Sequence, residues 1–382
     1  MVPLRQTFVL ATVALVFLIP GYLCNDGKAF PLFNVVQFDN TVCTSSMAMS
    51  GMSSGTTTRN GTCYTESECQ TRNGLPAGKC ASGFGICCVF IVNAGAVTQN
   101  NTYLQNLGFS GPLMAATAVT YTINKVEPDV CFLRLDFDTF NIMGPAGTME
   151  TTGGTCDDTM TVTAPGANLP SICGSNTGQH MYIDIGKTAM NTAMINFMFM
   201  APAMGATMGM TSMRTWDIKV TQFKFSDPGN PPPGCLQYHS GMAGRIRTFN
   251  YDAMASTHIA SQNYQVCIRQ EPGYSCIQYT VCADMTGFTL DVATIAGAAV
   301  DTGCTSDFIE ISGSSALCNQ GTLTSRYCGT NLNTAAMAMA DTSICDCTAP
   351  FRVGIFTDKM ADTGVAAMPA SKGLCLEYKQ LP

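Results

Sequence analysis

Charge is scarce in this chain. Only 12% of its 382 residues are Asp, Glu, Lys or Arg, and the net charge is −7 at neutral pH. No basic run occurs, which argues against nucleic acid as a partner. Histidine is scarcer still: His180, His239 and His258 are all there is. Neither an HExxH zinc motif nor a trypsin-like GDSGG occurs. GMSSG at 51–55 fits the G-x-S-x-G nucleophile pattern, but that pattern needs a strand–turn–helix elbow and a histidine partner. Here it lies in a polar loop between cysteines, so it is read as a chance match. No catalytic residue is assigned, and the expectation is a protein that is not an enzyme. Beyond the N-terminus no apolar run is long enough to span a bilayer; TAMINFMFMAPAM comes nearest and Pro202 interrupts it. Stretches of helical period are missing as well, with IAGAAVD near 295 ambiguous.

Cysteine, by contrast, is abundant. Twenty residues are too many for a reducing compartment and too scattered for one metal cluster, so an oxidised, secreted, extracellular protein is expected. The N-terminus agrees. Arg5 precedes the apolar run Phe8 to Ile19, and Pro20 and Gly21 end it. That is the form of a signal peptide, assigned to residues 1–21, with cleavage after Gly21, Cys24 or Ala29 all open. If Cys24 leaves with it, nineteen cysteines remain and one is unpaired. Sequons at Asn60 and Asn100 are expected glycan sites on exposed loops.

Texture divides the rest. Residues 24–88 are cysteine-dense. Residues 93–226 are cysteine-poor and alternate as strands: Leu133, Leu135 and Phe137 against Arg134, Asp136 and Asp138, then Trp216, Ile218 and Val220 against Asp217, Lys219 and Thr221. SDPGNPPPG follows, too rich in proline and glycine to continue a strand, and residues 227–234 are read as a linker. Residues 235–382 regain ten cysteines and end on the alternation Leu374, Leu376, Tyr378. The two long segments share an order: a strand, a cysteine leading into D-x-hydrophobic-x-hydrophobic, a Cys-Gly, and a late strand pair. In the first the markers are Cys156-DDTMTV and Cys173-Gly174; in the second, Cys304-TSDFIEI and Cys328-Gly329. An internal repeat of two β-sandwiches in an all-β chain is the expectation.

That order resembles the CUB domain, an extracellular jelly-roll β-sandwich. The resemblance covers about residues 93–382 and implies the bridges Cys156–Cys173 and Cys304–Cys328. It also implies Cys235–Cys267 in the second copy. Ala94 and Val119 stand about where the first copy would carry that bridge, which leaves Cys131 as an extra thiol. Cys43, Cys63, Cys69, Cys80 and the pair Cys87–Cys88 resemble a small disulfide knot of clip type, such as precedes CUB domains in secreted arthropod proteins. A segment this short buries too little apolar surface to stand alone and is stapled instead. Adjacent cysteines do not readily bond each other, so they tie two different loops to one point, with Gly83 and Gly85 permitting the close approach. Relatives of this type often end in Pro-Cys; this chain stops at Pro382, which the resemblance reads as a clipped end.

Many CUB domains hold calcium near one end of the sandwich. The matching positions in the second copy are Asp291, Asp307 and Asp358, a set of hard oxygen ligands from three loops. The first copy keeps only Asp158, and no calcium is expected there. Calcium-held loops of this kind grip a partner's lysine or arginine, which would make the second copy the binding head. The resulting expectation is a secreted, non-enzymatic protein that binds an extracellular protein or glycan. One alternative is a structural component of extracellular matrix or cuticle. Another is a copper-binding protein using the methionine-rich stretches at 47–52 and 198–213, whose thioethers suit Cu(I); there, Met208, Met210 and Met213 would be the residues to replace.

Overall fold

A computed structural model describes residues 36–48, 56–113, 117–145, 154–200, 214–251, 257–283, 287–291, 296–318, 321–359 and 371–382. In chain order the elements are β1 (Val42–Ala48), β2 (Thr56–Tyr64), α1 (Glu66–Thr71), β3 (Leu75–Cys80), β4 (Gly85–Val92), β5 (Gly95–Val97), β6 (Thr102–Gln105), β7 (Val119–Asn124), β8 (Val130–Asn141), β9 (Thr159–Thr163), β10 (His180–Asp184), β11 (Thr192–Met198) and β12 (Thr215–Lys224). The second half adds β13 (Cys235–His239), β14 (Ala243–Arg247), β15 (Asn263–Ile268), β16 (Cys276–Val281), β17 (Phe288–Thr289), β18 (Ala298–Val300), β19 (Phe308–Ser314), β20 (Thr324–Gly329), β21 (Ile344–Asp346), β22 (Arg352–Phe356) and β23 (Gly373–Leu381). Among the described residues the fold is all-β apart from α1 and two 3-10 turns. Among the described residues no helix is long and apolar enough to cross a membrane. The region left ambiguous near 295 gives β18.

Four sheets are built from these strands. The first has eight, in the order β1-β2-β4-β6-β12-β8-β10 with β3 beside β4, and faces a sheet of order β5-β7-β11-β9. Their inner faces meet at Trp216, fully buried, whose ring stacks on Phe197 at 4.4 Å and donates its Nε1–H to the Tyr121 hydroxyl at 3.0 Å. The other two sheets run β13-β15-β22-β19-β20-β18 and β14-β23-β16-β21, with β17 on β23.

Strand β4 explains the adjacent cysteines. Successive side chains on a strand point to opposite faces, so Cys87 reaches Cys43 of β1 while Cys88 reaches Cys69 of α1. The partners are thus a strand and a helix, not two loops. A Cβ at Gly85 would lie 2.7 Å from the Cys63 sulfur, and only glycine lets the Cys63–Cys80 bridge pass there. Helix α1 is one turn and a half, too short for a 3.6-residue period to show. Its sequence signal is a capping box: Thr65 accepts from the Glu68 amide, and the Glu68 carboxylate accepts from the Thr65 amide.

The cysteine-rich module and the first sandwich share a sheet. β4 continues past Cys88 and pairs in parallel with β6, Phe90 opposite Thr102. The face of β12 expected to be wet is covered here. Asp217 is buried, ion-paired with Arg59 of β2 and hydrogen-bonded to Gln105 at 3.2 Å. Arg59 also stacks over Tyr103, 4.2 Å from the ring centre. The first sandwich meets the second through backbone-anchored polar contacts. The Asn250 amide donates to Asn176 at 2.7 Å, the Gln179 carboxamide to the Thr248 carbonyl at 3.2 Å, and the Tyr238 amide to His180 Nε2 at 3.0 Å.

Candidate functional site

The loop end of the second sandwich gathers three chain segments around Asp307, the residue just before β19. Its carboxylate is 1% exposed. One oxygen accepts the Asp358 amide at 2.8 Å, just beyond β22. The other lies 3.0 Å from Nε2 of His258, equally buried. The second nitrogen of that ring, Nδ1, is 3.3 Å from the Ile259 carbonyl. The two ring nitrogens of His258 thus lie beside a carboxylate and a carbonyl. The segment carrying His258 is pinned by its amide to the Ser371 carbonyl at 3.0 Å and by Thr357 to the Ile259 carbonyl at 2.8 Å. Asp291 ends the β17 segment, buried, with φ of 57°.

In the first sandwich the corresponding aspartate faces an arginine instead. Asp158, two residues after Cys156, is fully buried and held by both arms of Arg214, at 2.7 and 2.8 Å. The amides of Met143 and Met200 add a donor each, both at 3.0 Å. In both sandwiches, therefore, the aspartate behind the bridging cysteine lies beside a nitrogen-bearing side chain of the protein itself.

Calcium takes six to eight oxygen ligands; here one oxygen of Asp307 accepts an amide, and the other, beside His258, has no hydrogen-bond partner among the described residues. Among the described residues, Asp291, Asp307 and Asp358 do not bring their carboxylates within 4.8 Å of one another. The one group of His, Cys, Asp or Glu side chains that does converge so is Cys276, Cys318, Cys345 and Cys347. Those four are bridged as Cys276–Cys347 and Cys318–Cys345, which leaves no thiolate for a metal.

Elsewhere the structure pairs Cys156 with Cys173, Cys304 with Cys328, Cys235 with Cys267 and Cys282 with Cys375. In the first sandwich the parallel pair β5–β7 carries no bridge. Cys131 is buried and free, its thiol pushed up by burial and then by Asp184. Neither sequon asparagine stands on an exposed loop. Asn60 is half-buried on β2, its amide donating to the Tyr103 hydroxyl at 2.8 Å. Asn100 is half-buried too, its carboxamide donating to the Gln222 carbonyl at 3.1 Å and accepting from the Gln222 amide at 2.8 Å. The methionines at 49–52 and 204–213 lie outside the described residues.

Residues 232–381 match the animal CUB domain family. No match was found among curated proteins. Among solved structures, the CUB1-EGF-CUB2 domains of rat MASP-1 align with 76% of this chain and 99% of their own, at 12% identity and a TM-score of 0.26. The same domains of human MASP-1/3 align with 74% and 100%, at 13% identity and a TM-score of 0.24. The full extracellular region of zebrafish Gpr126/Adgrg6 aligns over 76% of this chain and 34% of its own, at 9% identity and a TM-score of 0.26.

Proposed function

We propose that this protein is a secreted, non-enzymatic recognition protein. In this reading a disulfide-stapled N-terminal module is fused to two CUB-type sandwiches in tandem, and they bind an extracellular protein or glycan. The family match over residues 232–381 carries this reading, because the CUB domain is a protein-interaction module. The shared order of markers around Cys156 and Cys304, each leading into a strand of a sandwich, extends it to the first copy. Nine disulfides among the described residues support an oxidising destination.

Recognition in this reading does not depend on calcium. Arg214 supplies the positive charge that Asp158 requires, and His258 stands 3.0 Å from Asp307. The full chain, expressed for secretion and labelled, should reach the medium and bind intact cells or their matrix. Binding should saturate, be displaced by unlabelled protein, and be equal in millimolar calcium and in chelator. Non-saturating deposition into insoluble material would replace this reading with the structural one. Saturable binding that chelator abolishes would keep recognition and remove its independence of calcium.

A further inference from the structure

The outer face of the β13–β18 sheet carries a cavity of 480 Å³, within the range of small-ligand sites. The pleat explains its floor. Gln265 of β15 and Glu310 of β19 both sit opposite Gly354 of β22, so one cross-strand row reads Gln265, Gly354, Glu310. A Cβ at Gly354 would lie 2.7 Å from the Phe356 ring and 3.0 Å from the Gln265 amide. Both side chains therefore lean over bare backbone. Arg352 and Asp346 close the cavity at one end. Beside it, Phe356 stacks on Phe308 with ring centres 5.0 Å apart, and Arg326 covers Phe308 at 4.5 Å.

The polar groups here are unspent. Arg352 Nε is buried and has no hydrogen-bond partner, an expensive state for a donor on a charged group. Its guanidinium makes no ion pair among the described residues, although Glu310 and Asp346 line the same cavity. Among the described residues the Glu310 carboxylate accepts only from Ser312, at 3.2 Å. Asp346 is 2% exposed and accepts from the Thr348 amide at 2.7 Å. An anionic ligand would satisfy Nε but meet two carboxylates. A cationic ligand would suit the carboxylates but face Arg352 and leave Nε unsatisfied. A neutral hydroxyl does both tasks, donating to a carboxylate while accepting from the guanidinium. Neighbouring hydroxyls on one ring could engage Glu310 and Arg352 together, with the ring's apolar face toward Phe356.

We propose that this face binds a neutral sugar unit of an extracellular glycan, held by hydroxyl contacts to Glu310, Arg352 and Gln265 above Gly354. The inference rests on the recognition reading above and names the ligand class it would use. The test takes the full secreted chain and immobilised neutral glycans ending in glucose, galactose, mannose or N-acetylglucosamine, with heparin and polylysine as charged probes. The expected result is saturable binding to at least one neutral glycan, competed by its free monosaccharide. R352K keeps the charge but removes Nε, and should weaken binding at least tenfold. E310Q should do the same, while R245A on another sheet should leave it unchanged. If R352K shifts the melting temperature, E310Q, on a half-exposed side chain, decides the comparison. Absence of neutral-glycan binding overturns the proposal, as does binding that ignores both substitutions. Loss in both variants of heparin or polylysine binding alone assigns the face to an ionic partner and also overturns it. Unaltered cell-surface binding by both variants removes the sugar site and leaves the recognition reading standing; a chain that binds nothing removes both.

Discussion

At the scale of single residues, several of the chain's rare charges are assigned to one another. Asp158 with Arg214 and Asp217 with Arg59 are buried ion pairs. Removing one member of such a pair leaves the other charged and dry, at a cost of about 3–5 kcal/mol. Asp158→Asn should therefore lower stability by about 3 kcal/mol in urea unfolding. The wild-type midpoint should be the same in millimolar calcium and in chelator. A ligand at a hundred times its dissociation constant would add about 2.7 kcal/mol, so a calcium-dependent rise would show the carboxylates opening to the ion and sink the calcium-independent reading. Cys131 gives a second residue-scale outcome. Burial and a raised thiol pKa should make it inert to alkylating agents in the native protein. Without reductant, denaturant should expose one reactive thiol from the described residues, and peptide mapping should place it at Cys131. Labelling at Cys131 under native conditions would contradict its burial.

At the scale of elements, alternation made the strands legible. Leu133, Leu135 and Phe137 are buried on β8, as are Trp216, Ile218 and Val220 on β12. A period-two pattern states which face turns inward, but not what covers the other. Asp217 sits on a face that alternation reads as wet, and Arg59, 158 residues away, covers it. The side chains opposite Asp158 and Asp307 were not legible for the same reason: Arg214 and His258 are distant in sequence and carry no motif. The adjacent cysteines were legible as two ties at one point, but their partners were not, because connectivity depends on which elements come together in space. Asp138, at the edge of the Arg59 cluster, shows what the packing costs. Its side chain is 46% exposed, yet partial desolvation first, and then Asp217, push its carboxyl up to about 6, against the pull of Arg59. A carboxyl raised on folding destabilises when ionised, so the penalty is full above about pH 6 and gone near the unfolded value of about 4. Asp138→Asn should raise the melting temperature at pH 7.5 and leave it unchanged at pH 4. A gain of the opposite sign would mean that Arg59 outweighs burial. Gly174 is a further element-scale test. Its φ is 75°, and a Cβ there would overlap the Asn250 carboxamide that accepts from the Ser175 amide at 3.1 Å. Gly174→Ala should cost roughly 2–3 kcal/mol and increase proteolytic cleavage between the sandwiches.

At the scale of the molecule, the sheets do not read as beads on a string. The module runs into the first sandwich through β4, and the junction with the second is built from side chains that donate to, or accept from, the opposite backbone. Two of the three histidines lie in that junction, with ring centres 4.9 Å apart. Burial first, and then Arg134, hold His180 down to about 3 and His239 down to about 4. His180 must stay neutral to accept the Tyr238 amide through Nε2. In the unfolded chain both would titrate near about 6.5. Between that value and pH 4 the unfolded chain takes up protons that the folded junction refuses, so their contribution is full above about pH 6.5 and is lost as the pH falls. Each histidine adds at most about 1.4 kcal/mol per pH unit to that slope. The opposing gain from Asp138 is smaller, since its side chain is 46% exposed and screened by solvent. Urea midpoints should thus be level from pH 8 to 7 and fall steadily from pH 6.5 to 4.5. The double variant His180→Gln and His239→Gln should show a much flatter profile, whatever its stability at pH 7. An unchanged acid slope in that variant would place the proton uptake elsewhere and mean that the junction is not what fails first in acid.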